Sequence, residues 1–524
     1  MWDFLIKGGL VVDGSNSPGI KADVALKDGK IAAMGRDLQG EAAQVIDATG
    51  LIVTPGFMDM HSHADRTIIA NPLCESALRQ GITFVLAGQC GGSTAPLTVA
   101  SREQMQQRRP DIDWLTLDEF FQRLDKETIG VNIAMQVGQG TIRGAVMGAA
   151  DRPATPEELE QQKALLLQAM QDGSFGLTTG RRYMPGCLAQ VEEIIELNKV
   201  IVPFDGLHSS HIANQDKEVF DSLQELISIG RESGSRVQLV HQKVCGKPSW
   251  GKAKECLEMM EAARAEGIDI LSDLYVHPYT QIIAIPGVIR EFLGGRVVPE
   301  QWATEEGRHK LIADLRQGLA AKAERAMSVQ HNAVLWCLNT KEYEWLDLAE
   351  GAAKMGTDLA TYMVNLLHLN DGQVKTAGIM GDEDINAILK HPFSMLGTDS
   401  YVVDGQNINP LEAHPRNYET YPYTLKRYVY DEKLLSLETC IYKMSGMVAH
   451  RLNLKDRGLL REGYWADLVV FDPQTIAPTA SVSEPNNYPT GIIHVFVNGQ
   501  WAVKESAGTG VRAGMTIRNP KCQA

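Results

Sequence analysis

Residues 54–63 read Thr54-Pro55-Gly56-Phe57-Met58-Asp59-Met60-His61-Ser62-His63. An apolar run ends here and two imidazoles follow it, spaced i, i+2. On an extended strand, residues two apart point to the same side. Two neutral imidazoles on one side of a strand end make half of a metal site. A lone His-x-His pair is common by chance, so its meaning rests on what the rest of the chain sets beside it.

Similar short apolar runs recur downstream and alternate with helical stretches. Eight runs end near His61, Cys90, Val137, Thr179, His211, His241, Leu274 and Asp399. Helical stretches fall between them, such as Thr155 to Asp172 and Lys217 to Glu232. Alternating β and α units argue for a parallel sheet, and eight of them for an α/β fold closed as a (β/α)₈ TIM-like barrel. The gap between the last two runs is long. Residues from about 282 to 345 are expected to form an inserted helical subdomain over the barrel mouth.

Both chain ends read as short strands and turns. Asp28-Gly29 sits between Asp23-Val24-Ala25-Leu26-Lys27 and Lys30-Ile31-Ala32-Ala33-Met34, a hairpin signal. Asn498-Gly499 follows His494-Val495-Phe496-Val497 in the same way. The ends are expected to build one small β-sandwich domain from residues 1–55 and 450–524, beside a barrel spanning 56–449.

The 524 residues, 44% hydrophobic and 22% charged, suit a large globular protein with a deep core and more than one domain. A formal charge of −15 disfavours nucleic acid and anionic membranes as partners. No run approaches the length of a membrane span. Met1-Trp2-Asp3-Phe4 opens without a basic n-region, so a cytoplasmic location is expected. The eight cysteines lack framework spacing and read as reduced thiols. No pattern speaks to the oligomeric state.

In such barrels, active sites are built at the C-terminal ends of the strands. His61 and His63 end the first. Gly88-Gln89-Cys90-Gly91-Gly92 ends the second, and Leu207-His208-Ser209-Ser210-His211 the fifth. Leu239-Val240-His241-Gln242-Lys243 ends the sixth, and Leu396-Gly397-Thr398-Asp399-Ser400 the eighth. Nitrogen, thiolate and carboxylate donors converge on one face, which is a zinc-type ligand set. Each residue also has a plainer reading. Cys90 could be a small core residue, His208 or His211 a hydrogen-bonded core histidine, Asp399 a helix N-cap and Lys243 a solvated charge. Those plain readings would have to coincide at five strand ends. His208 and His211 have opposite parity, and the last of them, His211, is taken as the inward one.

The chain resembles the N-acyl-D-amino-acid deacylases (D-aminoacylases) of the amidohydrolase superfamily over nearly its whole length. The resemblance runs through residues 55–63, Gln89-Cys90-Gly91, Ser210-His211, His241-Gln242-Lys243-Val244 and Gly397-Thr398-Asp399. It continues through His414-Pro415-Arg416-Asn417-Tyr418, Asp456-Arg457-Gly458-Leu459-Leu460 and Ala466-Asp467-Leu468-Val469-Val470-Phe471. Many amidohydrolases carry a carboxylated lysine on the fourth strand. Here that strand reads Ser174-Phe175-Gly176-Leu177-Thr178-Thr179, without one.

The resemblance implies one tight zinc on Cys90, His211 and His241. It places His61, His63 and Asp399 at a neighbouring weak or vacant second site. It makes Asp399 the group that takes a proton from metal-bound water and delivers it to the leaving amine. A carboxylate-bearing small-molecule substrate then needs cations, and Lys243, Tyr275, Arg416 and Arg182 are the candidates. Three departures fall in the substrate shell: Ala213 and Gln215 replace the family's Arg and Glu, and Gln139 replaces a His. The expected activity is zinc-dependent hydrolysis of N-acyl-D-amino acids to a carboxylate and a free D-amino acid. The alternatives are a hydantoinase-like hydrolase of cyclic amides or lactones, and an inactive scaffold of the same fold. The missing lysine weighs against the first, and intact Cys90, His211, His241 and Asp399 against the second.

Overall fold

The computed structural model describes residues 1–107, 109–405 and 413–522. The chain opens with strands β1 (Trp2–Val11), β2 (Ile20–Lys27), β3 (Lys30–Gly35), β4 (Ala42–Asp47) and β5 (Ile52–Pro55). β2 and β3 form the expected hairpin. Asp28 and Gly29 carry it at φ 49° and 77°. Both central residues of such a tight turn need positive φ, which explains the Asp-Gly pair.

The fold is α/β. Parallel strands follow: β6 (Phe57–Asp59), β7 (Ile82–Ala87), β8 (Asn132–Met135), β9 (Val137–Gly138), β10 (Gly176–Gly180), β11 (Leu207–His211), β12 (Arg236–Leu239) and β13 (Ile270–Leu274). Helices separate most of them. The helix Pro156–Gln171 starts on a Thr155–Glu158 capping box, and Val219–Ser233 ends on left-handed Gly234. Next come β14 (Ile283–Ala284), β15 (Asn332–Cys337) and β16 (Val374–Gly378), an antiparallel three-stranded sheet. After it, β17 (Ser394–Leu396) pairs in parallel with β13.

The parallel order is thus β6-β7-β8 and then β9-β10-β11-β12-β13-β17. Backbone bonds also join the last strand to the first. Met60 N–H donates to Leu396 O at 3.3 Å, and Asp399 N–H to His61 O at 2.8 Å. The parallel strands are buried on both faces, as expected where helices cover the sheet, but several interior positions are polar, among them Thr178, Ser209, Gln238 and Asp273.

The inserted segment is larger than the sequence suggested. Its apolar cluster starts at Ile285 and runs to Val374, well past residue 345. It holds strands as well as helices, because β15 and β16 pair across 36 intervening residues that no local hairpin signal announces.

β18 (Leu468–Phe471), β19 (Ile492–Val497), β20 (Gln500–Lys504), β21 (Ala507–Gly508) and β22 (Thr516–Ile517) complete the strands. β18 pairs with β5, so both chain ends share one nine-stranded sheet. β22 departs from the expectation for residues 450–524. It leaves that sheet and pairs in parallel with β8. A buried polar network fixes this crossing. Asp467 accepts the Asn498 N–H at 2.7 Å and the Asn132 amide at 3.2 Å, and Asn132 Oδ1 accepts the Met515 N–H at 3.1 Å. Residues 523 and 524 lie outside the described part. Among the described residues no helix is long and apolar enough to cross a membrane.

Candidate metal centre

The C-terminal ends of the parallel strands bring the expected donors together. Cys90, His211 and His241 offer ligand atoms within 4.8 Å of one another, as do His61, His63, Cys90 and Asp399. Cys90 Sγ lies 3.4 Å from His61 Nε2, 3.6 Å from His211 Nδ1 and 3.4 Å from His241 Nε2. His63 Nε2 lies 3.1 Å from Asp399 Oδ1. A tetrahedral zinc with bonds of ~2.0–2.3 Å sets its ligand atoms about 3.3–3.7 Å apart. The three sulfur–nitrogen distances meet that test. The 2.8 Å between His211 Nδ1 and His241 Nε2 would have to open slightly. The donor set therefore fits zinc.

His208 takes no part. Its Nε2 lies 3.0 Å from the Thr179 hydroxyl, on the other side of β11. Parity along one strand separates these two histidines.

Three of the donors sit in left-handed backbone: Cys90 at φ 56°, His241 at 36° and Asp399 at 52°. Non-glycine residues rarely adopt this region, and strain of this kind collects at functional sites. The surroundings hold it. The His241 N–H donates to Asp273 Oδ1 at 2.7 Å, and Asp399 is bonded through its N–H to His61. Gly91 must remain glycine, because a Cβ there would lie 2.3 Å from Gly180 N.

The electrostatics suit metal ligation. Burial would raise the Cys90 thiol, but the imidazoles of His241 and His61 outweigh it and hold the thiol well below its ordinary value. Burial, aided by Lys243, lowers His241 to about 3, so its ring is neutral and has a lone pair to give. Burial works against Asp399 too, yet the Arg416 guanidinium and the His61 and His63 rings keep it well below the usual carboxylate range.

Above these donors opens a cavity of about 690 Å³. Lys243, Tyr275, Arg416 and Arg182 all line it. Lys243 is 6% exposed, and its Nζ donates to His241 O at 2.9 Å. It has no carboxylate partner among the described residues, and burial lowers its pKa. The Tyr275 hydroxyl is buried and unbonded. Lys243 Nζ and the Arg416 guanidinium lie 4.9 and 4.8 Å from its ring centre. Arg416 is engaged, however: Nη1 lies 3.0 Å from Asp399 Oδ2, and Nη2 donates to Gln281. Arg182 is exposed at the rim.

Sequence reasoning assigned no role to four neighbours. Asp273 Oδ1 stands 3.5 Å from His61 Nδ1 while it holds His241. Gln215, noted only as a departure, places Nε2 3.2 Å from His241 Nδ1. Tyr183 packs its ring edge-on to His211 with centroids 4.7 Å apart. Asp59 accepts the N–H groups of His61 and Thr398, and burial raises it to about 7. The available signal was a carboxylate inside an otherwise apolar run, as at Asp59 and Asp273, since an acid is rarely buried without a task.

A family model described as the amidohydrolase family matches residues 44–503. The chain belongs to the amidohydrolase family. It is 33% identical over 524 residues to the D-aminoacylase of Alcaligenes xylosoxydans xylosoxydans, covering 98% of this chain and 97% of that one. Among solved structures it resembles an N-acyl-D-glutamate deacylase from Bordetella bronchiseptica, complexed with zinc and a phosphonate mimic of the tetrahedral intermediate. That likeness has a TM-score of 0.77 and 29% identity, and covers 99% of both chains. A D-aminoacylase crystal structure aligns with a TM-score of 0.78 and 31% identity, over 99% of this chain and 100% of that one.

Proposed function

We propose that this amidohydrolase is a zinc-dependent deacylase of N-acyl-D-amino acids. The observation that carries the reading is the juxtaposition of the Cys90–His211–His241 donor set with Asp399 beneath a cavity holding Lys243, which meets no carboxylate among the described residues. The relatives that span the whole chain act on such compounds by name. In this reading Cys90, His211 and His241 hold the zinc, and His61 and His63 with Asp399 border a weaker second position. Counting β8 and β9, which are interrupted only at Gln136, as one, the parallel strands number eight and close into a (β/α)₈ barrel over residues 56–449, and the two chain ends form a β-sandwich beside it.

When bound, zinc polarises the amide carbonyl and acidifies water. The rest falls to the chain's own groups. Asp399, kept ionised by Arg416, accepts the proton from the attacking water and passes it to the departing nitrogen. His63, 3.1 Å from Asp399, fixes the direction of that carboxylate. The Gln215 amide lies against His241 Nδ1; with its oxygen turned to that side it accepts the Nδ1–H and leaves the Nε2 lone pair toward Cys90 and the metal position. Lys243 and the unbonded Tyr275 hydroxyl hold the substrate carboxylate.

The test is metal analysis together with paired N-acetyl-D- and N-acetyl-L-amino acids, with hydantoin as a cyclic control. Close to one tight zinc per chain and hydrolysis confined to the D series are expected. Turnover of hydantoin in preference to every linear amide would replace this reading with the cyclic-amide one.

A further inference from the structure

Five cationic side chains line the main cavity among the described residues: Arg66, Arg182, Lys243, Arg325 and Arg416. Two of them are neutralised by neighbours. Arg325 meets Glu291 at 2.7 Å, and Arg416 meets Asp399 at 3.0 Å. The remaining lining carboxylate, Asp216, accepts the Ser328 hydroxyl at 3.0 Å and faces a side chamber of about 260 Å³ as well. Arg66, Arg182 and Lys243 are left without a carboxylate partner among the described residues. The chain as a whole carries −15, so three unmatched cations in one cavity run against its overall charge. One substrate carboxylate answers Lys243. It does not answer the other two.

These two arginines follow other strands than Lys243 does, although the Arg182 and Lys243 charges are both felt at Cys245. Lys243 and Tyr275 follow β12 and β13, whereas Arg66 follows β6 and Arg182 follows β10. The metal donors come from both sides of the rim: His63 precedes Arg66 after β6, and His241 precedes Lys243 after β12. The Arg182 and Arg416 charges are felt at the Tyr183 phenol, which packs on His211, and Arg66 in turn feels Tyr183. Gly92, Gly140, Gly180 and Gly186 line the same half of the cavity. Arg66 Nη2 lies over Gly92, where a Cβ would meet it at 2.7 Å. This half is therefore an open, backbone-floored space capped by positive charge. With the amide at the metal and the amino-acid carboxylate on Lys243, the acyl group is what extends into it.

We infer that the acyl group itself ends in an acid, so that the substrate is a dicarboxylic half-amide such as an N-succinyl-D-amino acid. The inference rests on the deacylase reading and adds the acyl class to it. Hydrolysis adds water across the C–N bond, oxygen to the acyl carbon and hydrogen to nitrogen, and releases the dicarboxylate and a free D-amino acid.

The experiment compares N-succinyl-D-methionine with its neutral terminal-amide analogue, N-succinamoyl-D-methionine. It measures kcat/KM on the zinc-loaded enzyme and calorimetric Kd on zinc-loaded Asp399→Asn. The acid is expected to exceed the amide about tenfold or more in both measurements. In Arg66→Gln/Arg182→Gln the ratio should fall to near one. Equal handling of the two compounds by the wild type, as solvated rim charges would give, overturns the inference. So does a ratio that survives in the double variant. A further pair, N-acetyl-D-glutamate against N-acetyl-D-glutamine, places the second charge on the amino-acid side. A larger ratio there than for the succinyl pair also overturns the acyl assignment. The calorimetric arm needs no turnover. Absence of all hydrolysis would count against the deacylase reading, while the binding ratio still decides this one.

Discussion

Asp399 and Arg416 face each other across the cavity floor, with Oδ2 and Nη1 3.0 Å apart. Both are nearly buried, at 9% and 4% exposure. A carboxylate held this way stays ionised and fixed in direction, so it can receive a proton as the reaction begins. Arg416 thereby serves Asp399 first, and Lys243 is left as the principal free cation on its side of the cavity.

Asp399→Asn is expected to retain the tight zinc and lose most turnover. Proton transfer by a positioned group contributes roughly 10²–10⁴-fold. Steady-state kcat beside metal content checks this, and a near-normal kcat would remove Asp399 from the proton path.

Cys90→Ala should lose tightly bound zinc and activity together. The thiolate lies 3.4–3.6 Å from three imidazole nitrogens, and no other described cysteine belongs to either donor group. Metal analysis after dialysis decides it; full occupancy in the variant would show that the histidines suffice.

Lys243→Met should lower kcat/KM by about one to two powers of ten, the equivalent of a charge-assisted bond of roughly 1.5–3 kcal/mol. Zinc content should be unchanged. Substrates with an amidated α-carboxyl should lose the same factor on the wild type and be indifferent to the substitution. Equal rates for acids and amides on the wild type would rule out a carboxylate site at Lys243.

Glu419 gives a stability prediction away from the metal donors. Burial raises it from an ordinary 4.5 to about 7, while its Oε2 accepts the N–H groups of Thr479 and Ala480 at 2.8 and 2.7 Å. The folded state therefore holds a proton that the unfolded chain has released. That contribution is complete below about pH 4.5 and is lost as pH rises through 7, on the order of 3 kcal/mol. Glu419→Gln keeps an oxygen for both N–H groups and removes the ionisation. Its melting temperature should gain on the wild type as pH rises from 5 to 8. A constant difference across that range would show that Glu419 does not titrate there.

Removing the last fifty residues takes away β19, β20, β21 and β22 and uncovers β18 and β8. Exposed apolar strand edges aggregate. The truncated chain should be insoluble, and the soluble fraction after expression is the measurement. A soluble, active truncation would show that the end sheet is dispensable.

Local pattern was enough for much of this. The eight apolar runs, the Asp-Gly and Asn-Gly turns and the position of each donor at the end of a run were readable, because strand period, turn chemistry and burial act over a few residues. The parity that separates His211 from His208 is a local property of the same kind. Asp273, Arg66 and Tyr183 were not singled out, and Gln215 was noted only as a departure, since each acquires its role from a residue on another strand. The reach of the insert to Val374 and the return of β22 to β8 were equally hidden, because both rest on pairings between distant segments. The same holds for charge. Arg182, Arg66, Arg325 and Arg416 look alike in a sequence, and only packing decides which guanidinium meets a carboxylate and which faces the cavity alone. Local propensity is written residue by residue, whereas an ion pair or a ligand set is a distance between strands that the folded chain alone sets.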